Sequence, residues 1–265
     1  MFFVIGELIN STRSEITKAI VEKDDALIRR LARTQSEAGA HVIDLNAGQS
    51  MENEVRDLQW LIGVVEDELG KDVRLAIDTS NPDAMETGLK ACSTPPVINS
   101  ISNEKGNAGL IKLAAESGAE VIGLAMGEHG MPKTAEDRLE ETRALLEKCD
   151  HAGLAAERLY VDMICMSVGS GPEQGRQVLQ AIQQTKAELE VRTFIAVSNI
   201  SFGLPNRRLL NRTFLAMLIE AGLDGAIMDP TDKRMMDAIY TSRALLGLDN
   251  YCMQYIKAQK AKRGK

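Results

Sequence analysis

The most constraining feature of this chain is a repeated alternation. Short apolar, β-prone runs recur along it, each followed by a longer stretch with helical periodicity. The runs fall at 2–9 (FFVIGELI), 41–46 (HVIDLN), 74–78 (RLAID), 96–100 (PVINS), 120–126 (EVIGLAM), 159–165 (LYVDMIC), 193–199 (TFIAVSN) and 225–229 (GAIMD). The helical stretches follow at 14–38, 51–69, 81–90, 107–117, 135–152, 173–189, 207–221 and 232–246. Nearly continuous apolar strands belong to sheets covered on both faces, and a strand–helix repeat makes such a sheet parallel. Eight units without a Pro/Gly/Ser-rich linker predict an α/β fold, a single (β/α)8 TIM barrel domain over residues 1–265. An open doubly wound sheet is the alternative, but no G-x-G-x-x-G follows a strand. Gly39, Gly118, Gly153 and Gly222 stand where a helix must end before the next strand.

With 44% hydrophobic but only 4% aromatic residues, the interior must be built from Val, Ile, Leu, Ala and Met. A net charge of -7 argues against nucleic acid as a partner, and the basic ending 257–265 (KAQKAKRGK) is expected to be a frayed, solvated tail. No charged leader precedes the apolar start and Glu7 interrupts it, so neither a signal peptide nor a membrane span is expected; the expectation is a cytoplasmic protein. Cys92, Cys149, Cys165 and Cys252 lack C-x-x-C spacing and are expected as buried free thiols. His41, His129 and His151 lack metal-binding spacing, and no metal site is expected.

In a barrel of this kind the site lies at the C-terminal ends of the strands. Those ends carry Glu7, Asp44 with Asn46, Asp78, Asn99, Met126, Asp162, Asn199 and Asp229. Asp and Asn also cap the helices that follow strands, and for Asp44 and Asp229 that reading is as good as a functional one. For Asp78 it is weaker, because Ser80 or Asn81 ahead of Pro82 makes the better cap. Asn99 and Asp162 lie in or beside apolar runs, where burial without partners is costly. Apart from Arg207 and Arg208 the ring contains almost no cation, so a ligand gripped by its phosphates does not fit. Carboxylates accept and amides do both, which suits a neutral heterocycle rich in N–H donors, such as a pterin.

At these residues the chain resembles the methyltetrahydrofolate:corrinoid protein methyltransferases of the pterin-binding barrel superfamily. The matching segments are IGELIN (5–10), GAHVIDLNAG (39–48), IDTSN (77–81), VINSISNE (97–104), YVDMI (160–164) and SNIS with NRRLLNRTFLAM (198–217). The resemblance implies that Asp78, Asn99 and Asp162, with Ser198, hold tetrahydrofolate or 5-methyltetrahydrofolate, and that Asn199 approaches its N5 as the catalytic group. For Arg207 three readings stand side by side: a folate-positioning contact, a loop-ordering one, and a solvated arginine at a helix start. Glu7, Asp44 and Asn46 are further candidates. It also implies a homodimer and a place in one-carbon metabolism. After the Ser-Asn pair this chain has Phe202, Gly203 and Leu204, where some relatives carry more polar side chains. The D-x-H-x-x-G pattern of cobalamin-binding domains is absent, so the cobalamin is expected on a separate corrinoid protein. Two rivals are a dihydropteroate synthase-like enzyme, echoed by GAHVIDLNAGQS, and a non-catalytic folate-binding protein. The first should carry Lys and Arg at the late strand ends, where this chain has Asn199 and Asp229.

Overall fold

The computed structural model describes residues 1–263, the side chains of 262 and 263 excepted. Eight parallel strands alternate with helices among these residues. They are β1 (Phe3–Asn10), α1 (Ser14–Glu22), α2 (Asp25–Glu37), β2 (Val42–Asn46), α3 (Glu54–Leu69), β3 (Leu75–Asp78), α4 (Pro82–Ala91), β4 (Val97–Ile101) and α5 (Ala108–Ser117). There follow β5 (Glu120–Leu124), α6 (Ala135–His151), β6 (Leu159–Asp162), α7 (Gln174–Glu188), β7 (Arg192–Phe194), α8 (Arg207–Glu220), β8 (Gly225–Met228), α9 (Lys233–Leu245) and α10 (Met253–Arg263). Strand order is β7-β6-β5-β4-β3-β2-β1-β8. The ring closes between β7 and β8, where Asp224 N–H donates to Thr193 O (3.2 Å) and Ile227 N–H to Ile195 O (2.9 Å). This is the expected barrel.

Two buried clusters follow from the period-two alternation of strand side chains. One side packs against the helices in a large aliphatic cluster that includes Ile43, Leu45, Ile77, Ile98 and Val161. The other side fills the barrel: Ile5, Val42, Ala76, Val97, Ile122, Tyr160 and Phe194, with Phe3, Leu124 and Ile227 against them. At the lower end Arg74 and Arg192 both pair with Glu120, and Arg192 also donates to the Tyr160 hydroxyl (2.6 Å). That end is a packed plug.

The helix-ending glycines behave as expected: Gly39, Gly118, Gly153 and Gly222 all have positive φ. Three expectations need correction. The stretch 14–38 is two helices, because Lys23 adopts a left-handed conformation (φ 54°) and Asp24 caps α2 by accepting from Leu27 N–H (3.0 Å). The run 193–199 is a strand only to Phe194; residues Val197–Ser201 form a 3-10 turn, since the backbone leaves the sheet once Ala196 has bridged Ile227. The basic ending is helical through residue 263 rather than frayed, with Gln259 Nε2 donating to Asp237 Oδ1 (3.1 Å). Its last two residues lie outside the described ones. Among the described residues no helix is long and apolar enough to cross a membrane.

Candidate active site

Continuing each strand by two residues above the barrel filling turns the pattern polar. Ile5 leads to Glu7, Val42 to Asp44, Ala76 to Asp78, Val97 to Asn99, Tyr160 to Asp162 and Ile227 to Asp229. All six line one cavity of about 870 Å³ at the C-terminal end of the barrel, as do Ser198, Asn199 and Arg207. That volume suits a small organic ligand. Asn46 does not line the cavity and stands behind Asp78.

Asp78 is the best-braced of these groups. Its Oδ2 accepts from Asn46 Nδ2 (3.0 Å) and Asn10 Nδ2 (3.2 Å). Both amides are themselves held: Asn46 Oδ1 accepts from Ser11 Oγ (2.6 Å) and Asn10 Oδ1 from Thr12 Oγ1 (2.7 Å). Oδ2 is thus filled by protein, which leaves Oδ1 as the acceptor for a ligand. Asn81 caps α4 by accepting from Asp83 N–H (3.0 Å), so Asp78 is indeed free of capping. Burial lifts the Asp78 pKa from 3.8 to about 6 against the two amide donors.

Asp44 is buried at the cavity wall and caps no helix. It accepts from Asn99 Nδ2 (3.1 Å), which turns the Asn99 carbonyl oxygen toward the cavity. Burial and the neighbouring Asp78 hold the Asp44 carboxyl well above the usual range. Asp162 accepts from Ile164 N–H through Oδ1 (2.7 Å), and burial lifts it to about 6. Asp229 accepts from Thr231 N–H (2.9 Å) and hydroxyl (2.6 Å), holding the turn whose helix cap is Asp232.

Across the mouth, Ser198 Oγ donates to Glu7 Oε2 (3.2 Å), tying the turn after β7 to β1. Burial raises the Glu7 pKa, aided by the charge of Asp229 and opposed by Ser198, Arg13 and Arg207. Arg207 Nη2 donates to Ser198 O (2.7 Å) and its Nε to Ser201 Oγ (3.1 Å), so this arginine orders the turn. The segment beyond is fixed as well, for Ser167 Oγ donates to Phe202 O (2.6 Å) and Gly203 takes φ 77°. Asn199 itself is exposed to the cavity, and among the described residues no partner engages its side-chain amide.

Two contributors escape sequence reasoning. A bulge in β1 between Gly6 and Ile9 inserts one residue, so Asn10 returns to the cavity side three positions after Glu7. The freed Leu8 N–H donates to Gln35 Oε1 (2.9 Å). Strict alternation conceals Asn10, although the Asn-Ser-Thr run after the apolar strand signals a polar end. The second is Arg138, fully buried on α6. It donates to Met163 O (2.6 Å), Ile164 O (2.9 Å), Thr134 O (2.9 Å) and Gln174 Oε1 (2.9 Å). It thereby holds Ile164 at φ 45°, a costly conformation for a β-branched residue, with its N–H on Asp162.

The chain can be compared with known proteins on this basis. A model of the pterin-binding enzyme family matches residues 6–229. The chain is 33% identical over 262 residues to the methylcorrinoid:tetrahydrofolate methyltransferase of Eubacterium limosum, covering 96% of this chain and 95% of that protein. It is 30% identical over 240 residues to the methionine synthase of Mycobacterium leprae, which is 85% of this chain and 20% of that much longer protein. Among solved structures, the dihydropteroate synthase of Yersinia pestis superposes with a TM-score of 0.69 over 92% of this chain and 93% of its own, at 19% identity. That last likeness is one of fold. The chain therefore belongs to the pterin-binding enzyme family, among its methyltetrahydrofolate:corrinoid protein methyltransferases.

Proposed function

We propose that this chain moves a methyl group between N5 of tetrahydrofolate and a corrinoid carried on a separate protein. The observation that carries the reading is the pairing of a braced, buried acceptor ring (Asp78, Asn99 and Asp162) with an unengaged amide, Asn199, in the same cavity. Near neutral pH carboxylates with a pKa of about 6 are mostly ionised, and they accept from the 2-amino and N3–H edge of a pterin. The Asn99 carbonyl oxygen adds a further acceptor. Residues 1–265 act as one barrel domain in this reading.

N5 of the methylated pterin is a tertiary amine and a poor leaving group until it is protonated or strongly hydrogen-bonded. Asn199 accepts from protonated N5 and, after an amide flip, donates to the neutral nitrogen, so one side chain serves both directions of transfer. A carboxylate at that position would bind the two charge states unequally. The corrinoid supplies the methyl acceptor or donor, and this chain supplies position and electrostatics. The mouth of the cavity is where the partner delivers it.

We propose further that the chain is cytoplasmic and works as a homodimer. Leu245, Leu248, Tyr251 and Met253, each exposed along the segment from the end of α9 to the start of α10, offer apolar surface to a second copy. Analytical ultracentrifugation of Leu245→Lys against the parent checks the dimer.

The chemistry is tested by following absorbance while methyltetrahydrofolate is demethylated by cob(I)alamin. Asn199→Ala should lower kcat/KM by about 10–1000-fold, the worth of one lost transition-state hydrogen bond, with pterin affinity little changed. Transfer at the parent rate would remove Asn199 from the reaction. Folate binding without any transfer by the parent protein would favour a non-catalytic folate binder.

A further inference from the structure

The polarity of the cavity reverses between floor and rim. The floor presents acceptors, whereas three arginines line the rim: Arg13 at the start of α1, and Arg207 and Arg208 at the start of α8. They follow β1 and β7, which flank β8, so all three rise from one sector of the ring. Met126 and Met131, which also line the cavity, follow β5 on the far side.

Arg207 is committed to the turn through Ser198 and Ser201. The acids of this sector are engaged too: Glu7 by Ser198, Asp229 by Thr231, and Asp232 by Arg212 (2.7 Å). Arg13 and Arg208, by contrast, have no side-chain hydrogen bond or ion pair among the described residues. Two unpaired guanidiniums at the edge of an acid-lined cavity suit a ligand that brings its own anion.

A molecule complementary to both ends has N–H donors at one end and carboxylates at the other. On the folate reading, on which this inference rests, tetrahydrofolate has that form: a donor-rich pterin, an aminobenzoyl spacer, then glutamate. We propose that Arg13 and Arg208 form a second subsite that takes the glutamate carboxylates of the folate tail, so that the enzyme discriminates its substrate by tail charge. The tail then leaves over the β7–β8–β1 sector, and the Met126–Met131 side of the mouth stays open to the corrinoid protein.

The experiment measures affinity by calorimetry for 6-methyltetrahydropterin, which has no tail, and for 5-methyltetrahydrofolate with one and with three glutamates. The proteins are the parent, Arg13→Gln/Arg208→Gln and Arg13→Lys/Arg208→Lys. In the parent, affinity should rise along the ligand series, with the one-glutamate folate about tenfold above the tail-less pterin, the size expected of two ion pairs at a partly solvated rim. The Gln variant should bring that ratio close to one and the Lys variant should keep part of it; salt should shrink the ratio in the parent. A parent that binds tail-less pterin as tightly as folate overturns the subsite and leaves the pterin reading standing. So does a ratio that persists in the Gln variant. If the Gln variant keeps the ratio but raises KM for the corrinoid protein, the arginines are docking contacts and the tail assignment is wrong. A parent that binds none of the three ligands overturns the functional reading and the subsite with it.

Discussion

Asp78→Asn should make the ligand-free protein more stable while removing its grip on pterin. Folding lifts this carboxyl from 3.8 to about 6, which corresponds to about 3 kcal/mol by which the folded state disfavours the ionised form. Cavity water reaches part of the carboxylate and lowers the figure to about 2 kcal/mol. Because the folded pKa is raised, the native state holds its proton more tightly than the unfolded chain. The associated stability is therefore fully present below about 4 and is lost as pH rises through about 6. Asparagine does not titrate, and its carbonyl oxygen can still accept from Asn10 and Asn46. The variant should gain about 2 kcal/mol over the parent at pH 8, or about 4–6 °C in Tm for a chain of this length. The gain should fade toward pH 4. Thermal and urea unfolding across this range measure it, and titration with 5-methyltetrahydrofolate at pH 7.5 should show binding weakened by at least about tenfold, since an amide N–H then faces the pterin donors. A variant no more stable than the parent at pH 8, or equally favoured at pH 5 and pH 8, would refute the reasoning.

Pterin affinity should fall as pH drops below about 6, because Asp78 and Asp162 both protonate there and lose acceptor capacity; calorimetry at pH 6 in buffers of different ionisation enthalpy should detect proton release on binding. Arg138→Met should cost about 3–4 kcal/mol in denaturant unfolding, because it strands the carbonyls of Met163 and Ile164 in the interior. In the same variant pterin affinity should drop as Ile164 relaxes away from Asp162; unchanged affinity in a folded protein would show that Asp162 needs no such support. Gly225→Ala places a methyl 2.7 Å from the Phe3 carbonyl oxygen and 2.7 Å from the Phe194 ring, and a backbone atom there cannot step aside, so a loss of about 3 kcal/mol is expected.

The barrel was legible in the sequence because its signals are local. Each apolar run is covered on both faces, four of the helices hand over to the next strand at a glycine of positive φ (Gly39, Gly118, Gly153 and Gly222), and polar residues appear where the runs stop. Asp78, Asn99 and Asp162 could be picked out for the same reason, since a carboxylate or amide two positions beyond a barrel-filling residue stays on the same side of the strand. Asn10 broke that parity through the bulge, which depends on Gln35 of α2 taking the Leu8 N–H. Arg138 was invisible because the carbonyls it holds in place, those of Met163 and Ile164, lie about 25 residues downstream, and a lone arginine in a helix looks solvated. The break at Lys23 rests on one left-handed residue that helical periodicity passes over. The turn holding Ser198 and Asn199 was placed correctly and shaped wrongly, because strand propensity continues through Ile195 to Val197 after the sheet has run out of partners.

The alternation that sets each acid two places above a core residue also governs how such a gene can change. Loss or gain of one codon between Ile5 and Glu7, or between Ala76 and Asp78, would send the acid out toward the helices and bring an aliphatic side chain into the cavity mouth. Insertions in the segments after the strands leave that parity untouched. Descendants of this chain are thus free to remodel what docks on the rim, while the floor can change only by exchanging one residue for another.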